Sequence, residues 1–323
     1  MTGDRIILDH GAGGRASFQL VTDLFLTHFG GQEPEGLEDS AVLNLANGRL
    51  AFSTDTFVVT PIFFPGGDIG ELAVNGTVND LAMRGAIPLF LSAGFILEEG
   101  LAISDLDRVV RSMARAARSA GVQIVTGDTK VVPSGVADRV FINTSGIGLV
   151  PDGVDVSSRR AGVGDRVILS GTIGDHGMAI MCQREGLSLQ TEIKSDTASL
   201  ADLVKTLLRA GGEAVHVLRD PTRGGVGTVL NEIARTSKVG IYLDESGIPV
   251  RTEVRGACDI LGLDPLYVAN EGKLLAIVSE GATPQVLEAM RAHEFGRQAA
   301  IIGEVSADRP GPVSYTHLRA HET

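Results

Sequence analysis

The sequence predicts two domains of mixed helix and strand, the second of them α+β, and three observations carry that expectation. The chain has 323 residues, about twice a domain of roughly 150. Strand-like apolar runs are interspersed with amphipathic helical stripes along its whole length. Turn formers gather at Val150-Pro151-Asp152-Gly153 and on to Ser158, which puts a domain boundary near residue 153. The N-terminal domain is thus expected over 1–152 and the C-terminal domain over 153–313.

Taken in order, residues 5–8 read as a short strand leading into the glycine-rich loop His10-Gly11-Ala12-Gly13-Gly14-Arg15, followed by a helix over 18–29. That loop can hold a phosphate or simply turn the chain. Residues 50–59 alternate as a strand does, and Pro65-Gly66-Gly67 is a turn before a helix from near Asp68 to Arg84. Ser104 and Asp107 have capping-box spacing, and Leu106, Val109, Val110, Met113 and Ala117 give the stripe of a helix ending at Gly121. A buried strand over 122–125 is then expected to end on Thr126, leaving Gly127-Asp128-Thr129-Lys130 at a strand terminus, where sites are commonly built. In the second half, strands are expected over 165–170, 274–278 and 300–305, with helices over 199–209, 225–235 and 283–293. Residues 314–323 lack periodicity, abruptly carry one of the three tyrosines, and are expected to be a non-native tail.

Composition narrows the class of function. Lys and Arg number 28 against 40 Asp and Glu, a net charge of −12, which repels nucleic acid and anionic membranes. Cys182 and Cys258 make neither a disulfide framework nor a zinc pattern. No signal peptide and no apolar run near 18 residues is evident, so a cytoplasmic protein is expected.

Four acidic residues stand beside small or turn-forming neighbours: Asp39, Asp55, Asp80 and Asp128. Two bare carboxylates about 4 Å apart repel by about 4 kcal/mol at an effective dielectric of 20. A convergent set therefore requires a cation, and hard oxygen donors favour Mg²⁺. Each Asp alone could equally cap a helix or close a turn. Arg219-Asp220-Pro221-Thr222-Arg223-Gly224-Gly225 opens a helix; consecutive glycines, a helix N-terminus and an arginine suit a phosphate, although the same run is a good helix entry. It is neither a P-loop nor a dinucleotide fingerprint. Asn270-Glu271-Gly272-Lys273 offers an amide and a carboxylate that are either ligands or turn formers, and Lys130 is a phosphate-donor candidate or a solvated charge.

Together with Phe63-Phe64-Pro65-Gly66-Gly67-Asp68-Ile69-Gly70, Gly76-Thr77-Val78-Asn79-Asp80-Leu81-Ala82 and Gly174-Asp175-His176-Gly177, these segments resemble the HypE family of hydrogenase maturation factors. That family lies within the ATP-binding superfamily of aminoimidazole ribonucleotide synthetase, selenophosphate synthetase and thiamine-monophosphate kinase. The resemblance implies an α+β, two-domain aminoimidazole-ribonucleotide-synthetase-like fold whose N-terminal domains pair in a homodimer through a shared β-barrel. It implies ATP bound through Gly13, Gly14, Asn79, Thr129, Lys130, Arg223, Gly224, Gly225 and Asn270, with Mg²⁺ on Asp39, Asp55, Asp80 and Asp128. The implied reaction is ATP-dependent dehydration of an S-carboxamide on a C-terminal cysteine to a thiocyanate, the source of the cyanide ligand of [NiFe] hydrogenase. Lys130 would neutralise phosphate charge and Glu271 would take the amide protons. The implied partners are the carbamoyl-donating factor HypF and the iron-scaffold factors HypC and HypD.

The family chain ends in Pro-Arg-Ile-Cys, whereas no cysteine follows Cys258 here. The polypeptide is therefore expected to fold and bind ATP without forming its own thiocyanate. A small-molecule enzyme of the same superfamily and a non-catalytic maturation scaffold stand as the alternatives.

Overall fold

A computed structural model of the chain describes residues 7, 14–25, 28, 38–46, 48–187, 192–308 and 313–316. Gly13, most of the strand expected over 5–8 and residues 317–323 lie outside them. The first helix, α1 (Gly14–Leu20), runs into a π-turn at Val21–Phe25, so it begins four residues before the expected 18.

Seven strands and two longer helices complete the first half: β1 (Ala41–Leu45), β2 (Gly48–Phe57), β3 (Phe63–Phe64), β4 (Gly67–Asp68), α2 (Ile69–Met83), β5 (Ile87–Glu98), α3 (Ile103–Ala120), β6 (Gln123–Val132) and β7 (Val140–Val150). Five of the strands form one sheet in the order β1-β2-β7-β5-β6. All its pairs are antiparallel except β5 with β6, which α3 joins as a crossover. On β7 buried residues alternate with more open ones, the pattern of a strand with one face on a core. Helix α2 starts where the sequence predicts, because the Asp68 carboxylate accepts from the backbone N–H of Gly70 at 2.8 Å and of Glu71 at 3.1 Å. It is buried on nearly every side: Thr77 Oγ1 lies 2.6 Å from Thr144 Oγ1 on β7, and Asn79 Nδ2 donates to Ala198 O at 3.0 Å across to the second half.

Two expectations in this half change. Helix α3 takes Ala102 as its N-cap with no side-chain bond, so Ser104 and Asp107 fall inside the first turns; Asp107 instead pairs with Arg111 Nε at 2.7 Å. Its C-terminus on Gly121, at φ 72°, is as predicted. The strand expected to end on Thr126 continues to Val132, is exposed along nearly all its length, and forms the open edge of the sheet. Backbone pairing with β5 carries it onward, so Asp128, Thr129 and Lys130 sit in mid-strand rather than at a terminus.

The second half contains β8 (Arg166–Leu169), α4 (Asp175–Arg184), α5 (Ala201–Gly211), β9 (Val215–Arg219), α6 (Gly225–Ser237), β10 (Gly240–Asp244), α7 (Thr252–Leu261), β11 (Leu275–Val278), α8 (Thr283–Ala292), β12 (Ala300–Ser306) and β13 (Val313–Thr316). The sheet order is β13-β10-β12-β8-β11-β9. β11 is apolar throughout, and β8 apolar after Arg166, because both faces of the sheet are covered. Val167, Leu169, Val217 and Ile277 meet Val226, Val229, Leu230 and Ile233 of α6 on one side. Ile168, Leu218, Ala276 and Val278 meet Leu203, Val204 and Leu207 of α5 with Val286 and Met290 of α8 on the other. Residues 314–316, set aside as part of a non-native tail, pair in parallel with β10; an edge strand is held by backbone hydrogen bonds and needs no side-chain period. Among the described residues no helix is long and apolar enough to cross a membrane.

Candidate active site

Where α2, β2, β9 and the loop before β11 meet, carboxylates from both halves crowd together. Asp80 comes from the last turn of α2, Asp55 from β2, Asp39 from the segment entering β1, Asp220 from the end of β9 and Glu271 from the loop. Their charges act on one another. Burial first, then Asp220, Asp39 and Asp55, hold the Asp80 carboxyl well above its ordinary range, although Ser53 Oγ donates to its Oδ2 at 2.7 Å. Burial and then Asp39 push Asp220 up to about 8. Burial and then Asp220, Asp55 and Asp196 raise Glu271 well above a normal glutamate. Burial also raises Asp55, opposed by Arg223, whose Nη2 lies 3.9 Å from Asp55 Oδ1.

Asp39 is braced from behind. Its Oδ2 is 2.7 Å from Arg219 Nε, a close ion contact rather than an aligned hydrogen bond, and burial still raises it to about 6 against that attraction. Arg219 is itself buried and reaches Glu232 Oε2 at 3.1 Å. Beside it, Glu38 accepts from Ser157 Oγ at 2.6 Å, from Ser158 N at 2.7 Å and from Ser158 Oγ at 2.8 Å, and pairs with Arg84 Nη1 at 2.8 Å. This network ties the first half to the second directly behind the acidic pocket.

A cation fits that pocket. Asp220 Oδ2 is buried with no hydrogen-bond partner, and a buried unpaired carboxylate oxygen is costly unless an ion satisfies it. Among the described residues no three His, Cys, Asp or Glu side chains already converge as a closed cage. A Mg²⁺ ion held here would take one or two of these carboxylates and complete its shell with water and phosphate oxygens.

Next to the carboxylates, α6 opens on Gly224 and Gly225 at φ 76° and 64°, with no side-chain cap and no acidic residue in its first turn. A Cβ at Gly225 would lie 2.5 Å from Leu266 O and 2.7 Å from Val268 O, so only glycine fits against that loop. The Gly225 N–H donates to Thr222 O at 3.1 Å, so the next N–H groups of this uncapped first turn are the ones suited to an anion, and Arg223 extends from the same turn, 60% exposed.

The remaining predicted residues fall elsewhere or serve another purpose. Asn79 spends its amide on the backbone, donating to Ala198 O at 3.0 Å and Glu271 O at 3.3 Å and accepting from Leu200 N at 2.8 Å. Asn270 is fully buried and joins three loops: its Oδ1 accepts from Gly174 N at 2.8 Å, and its Nδ2 donates to Pro221 O at 2.9 Å and Val268 O at 3.0 Å. Gly14 begins α1 at φ 74° with open space where a Cβ would stand. Asp128, Thr129 and Lys130 lie on exposed β6, with Lys130 Nζ 3.2 Å from Asp128 Oδ2. Asp128 pairs in register with Gly94, Gly94 with Asn143 and Asn143 with Thr56. Three strand spacings of about 4.8 Å therefore separate it along the sheet from Thr56, the neighbour of Asp55 on β2.

Sequence reasoning passed over Asp220, Arg219 and Asp196. Asp220 and Arg219 stand inside the Arg219–Gly225 run, beside the glycines and Arg223; a charged pair closing the apolar strand β9 is the signal that marks them. A cleft of about 1000 Å³ opens between α2, α3 and α5, lined by Glu71, Asn75, Ser119, Lys205, Arg209 and His293. None of the crowded carboxylates lines it, so chemistry rather than volume marks the site.

The family described as AIR synthase related protein matches this chain with its N-terminal domain over residues 37–150 and its C-terminal domain over 162–315. The carbamoyl dehydratase HypE of Bradyrhizobium diazoefficiens is 56% identical over 301 residues, covering 93% of this chain and 87% of that one. A solved HypE–HypF complex superposes with a TM-score of 0.88 at 50% identity, covering 93% of this chain and 97% of that one. HypE in complex with ATP gives 0.81 at 52%, covering 96% and 94%. On identity and on fold alike, the chain belongs to the HypE carbamoyl dehydratase family.

Proposed function

We infer that this chain is an ATP-dependent carbamoyl dehydratase of [NiFe] hydrogenase maturation, converting a cysteine S-carboxamide to a thiocyanate while ATP becomes ADP and phosphate. The observation that carries the reading is the acidic pocket with its unpartnered Asp220 oxygen beside an uncapped helix N-terminus. Solved HypE with ATP and with HypF supports nucleotide binding and HypF as a partner. The finer proposals are Mg²⁺ in the pocket, a homodimer, the partners HypC and HypD, and a cytoplasmic site of action. The homodimer is supported by the open edge of β6, where Ile124, Val125 and Val131 are exposed, a strand edge that a second copy would cover.

In this reading one or two of Asp55, Asp80 and Asp220 would hold Mg²⁺ directly and the rest through its water, with Asp39 held beside them by Arg219; the ion would neutralise phosphate charge. The first-turn N–H groups of α6 that follow Gly225, whose own N–H donates to Thr222 O at 3.1 Å, and the Arg223 guanidinium would orient the triphosphate. Asp128 and Lys130, about three strands away, would meet a separate part of the nucleotide. The carboxamide oxygen attacks the γ-phosphorus and ADP leaves; loss of both amide protons then expels phosphate and leaves C≡N on sulfur. Glu271, raised by burial and by its acidic neighbours, would take those protons.

The acceptor is not one of this chain's own two cysteines. Cys182 and Cys258 are buried, and burial, then Asp259, pushes the Cys258 thiol up to about 11. The test supplies an S-carbamoylated peptide ending in Pro-Arg-Ile-Cys together with Mg-ATP. Peptide-dependent ADP release with a cyano-cysteine product in the mass spectrum is expected. Turnover only on an aminoimidazole-type substrate would instead select the small-molecule enzyme.

A further inference from the structure

Between α4 and α5 the chain over residues 192–200 has neither helix nor strand, yet its polar atoms are engaged on both sides. Toward the first half, Ser195 N donates to Pro65 O at 2.8 Å, Asn75 Nδ2 to Thr197 Oγ1 at 3.4 Å, and Asn79 Nδ2 to Ala198 O at 3.0 Å. Within the second half, His176 Nδ1 is 2.9 Å from Ser195 Oγ. The segment is a strap laid across the junction.

Its central residue, Asp196, faces the loop that carries Glu271. Asp196 Oδ1 accepts from Glu271 N at 3.1 Å, and Asp196 Oδ2 takes Lys273 Nζ at 2.9 Å. The Asp196 and Lys273 side chains are only 6% and 13% exposed, so the pair is shielded from water and held firmly. One carboxylate thus grips the loop on both sides of Gly272, at Glu271 and at Lys273. Between those grips, a Cβ at Gly272 would stand 1.8 Å from Asp196 O, so the loop meets the strap at backbone contact. The Glu271 carbonyl is fixed as well, accepting from Asn79 Nδ2 at 3.3 Å.

We propose that Asp196 is a positioning residue: it fixes the Glu271 backbone against the strap, so that the carboxylate stands at the reacting amide. The inference rests on Glu271 being the base proposed above. A misplacement of about 1 Å in such a group costs on the order of 10²-fold in rate, while nucleotide binding through α6 and the metal is untouched.

The experiment compares D196A, D196N, E271Q and the D196A/E271Q pair in full-length protein, reading kcat and the KM for ATP with the carbamoylated peptide. D196A is expected to lower kcat about 10- to 100-fold with KM for ATP within about twofold. D196N keeps an acceptor for Glu271 N and should recover part of the loss. D196A/E271Q should be no slower than E271Q, because one residue acts through the other. An unpaired Lys273 could unfold D196A; D196A/K273M removes both the acceptor and the unpaired charge and should show the same kcat loss with a melting temperature near that of the unsubstituted protein. An inactive E271Q beside a fully active D196A and D196A/K273M would overturn this inference alone, as would losses that simply multiply. An active E271Q would remove the base assignment and this inference with it.

Discussion

Two groups of carboxylates in this chain have the same side chain and opposite fates. On β6, Asp128 lies in water with Lys130 at 3.2 Å, and the Thr129 N–H and then Lys130 hold its carboxyl below the ordinary value. In the pocket between the two halves, Asp39, Asp55, Asp80, Asp220 and Glu271 are all raised, by burial first, and Asp80, Asp220 and Glu271 by neighbouring pocket carboxylates after that. An aspartate that solvent satisfies contributes little to the fold. Crowded buried aspartates work against it, and they persist where a ligand supplies the missing charge.

Substitutions can break that contrast. The largest effect is expected from Glu271→Gln, which removes the proposed base and should slow cyano-cysteine formation by about 10²–10⁴-fold, measured by mass spectrometry of the peptide. Next, Asp220→Asn should weaken Mg²⁺-dependent nucleotide binding by tenfold or more while raising the melting temperature of the metal-free protein by a few degrees, since it removes one of the mutually repelling charges. Calorimetry reads both.

The pH dependence sharpens the comparison. Asp39 and Asp220 are raised from 3.8 to about 6 and about 8 in the fold, so there the native state binds more protons than the unfolded chain. Stability of the metal-free protein is fully present below 3.8 and falls as pH rises through 6 and 8. Melting curves at several pH values should show that decline, and Mg-ATP should flatten it. A metal-free protein that gains stability over the same range would contradict the crowding. The smallest effect belongs to β6: Asp128→Asn should leave the melting temperature within about one degree.

Much of the fold was legible. The stripe on α3, the alternation of β2, the Asp68 start of α2 and the apolar strands of the second sheet follow from period and capping alone. β6 was misjudged because Val122 to Val125 reads as buried, while edge position is a property of the sheet's order and not of the strand's sequence. β13 was missed for the related reason that its pairing needs no pattern. At the site, Asp39, Asp55 and Asp80 were visible as acidic residues in turn-like settings. Asp220 and Asp196 were not singled out, since what distinguishes them is burial created when the two halves meet. Asn79 and Asn270 look like ligands in sequence and act as brackets, because a buried amide is worth most where it satisfies several backbone groups at once.

The most direct test of the account is Mn²⁺ binding in the presence of a non-hydrolysable ATP analogue, followed by electron paramagnetic resonance. Compared are the unsubstituted protein, Asp80→Asn, Asp220→Asn and Asp128→Asn. The account predicts at least tenfold weaker Mn²⁺ binding for Asp80→Asn and Asp220→Asn, and a change of less than about threefold for Asp128→Asn. Unchanged binding in the two pocket variants, with the loss confined to Asp128→Asn, would contradict it.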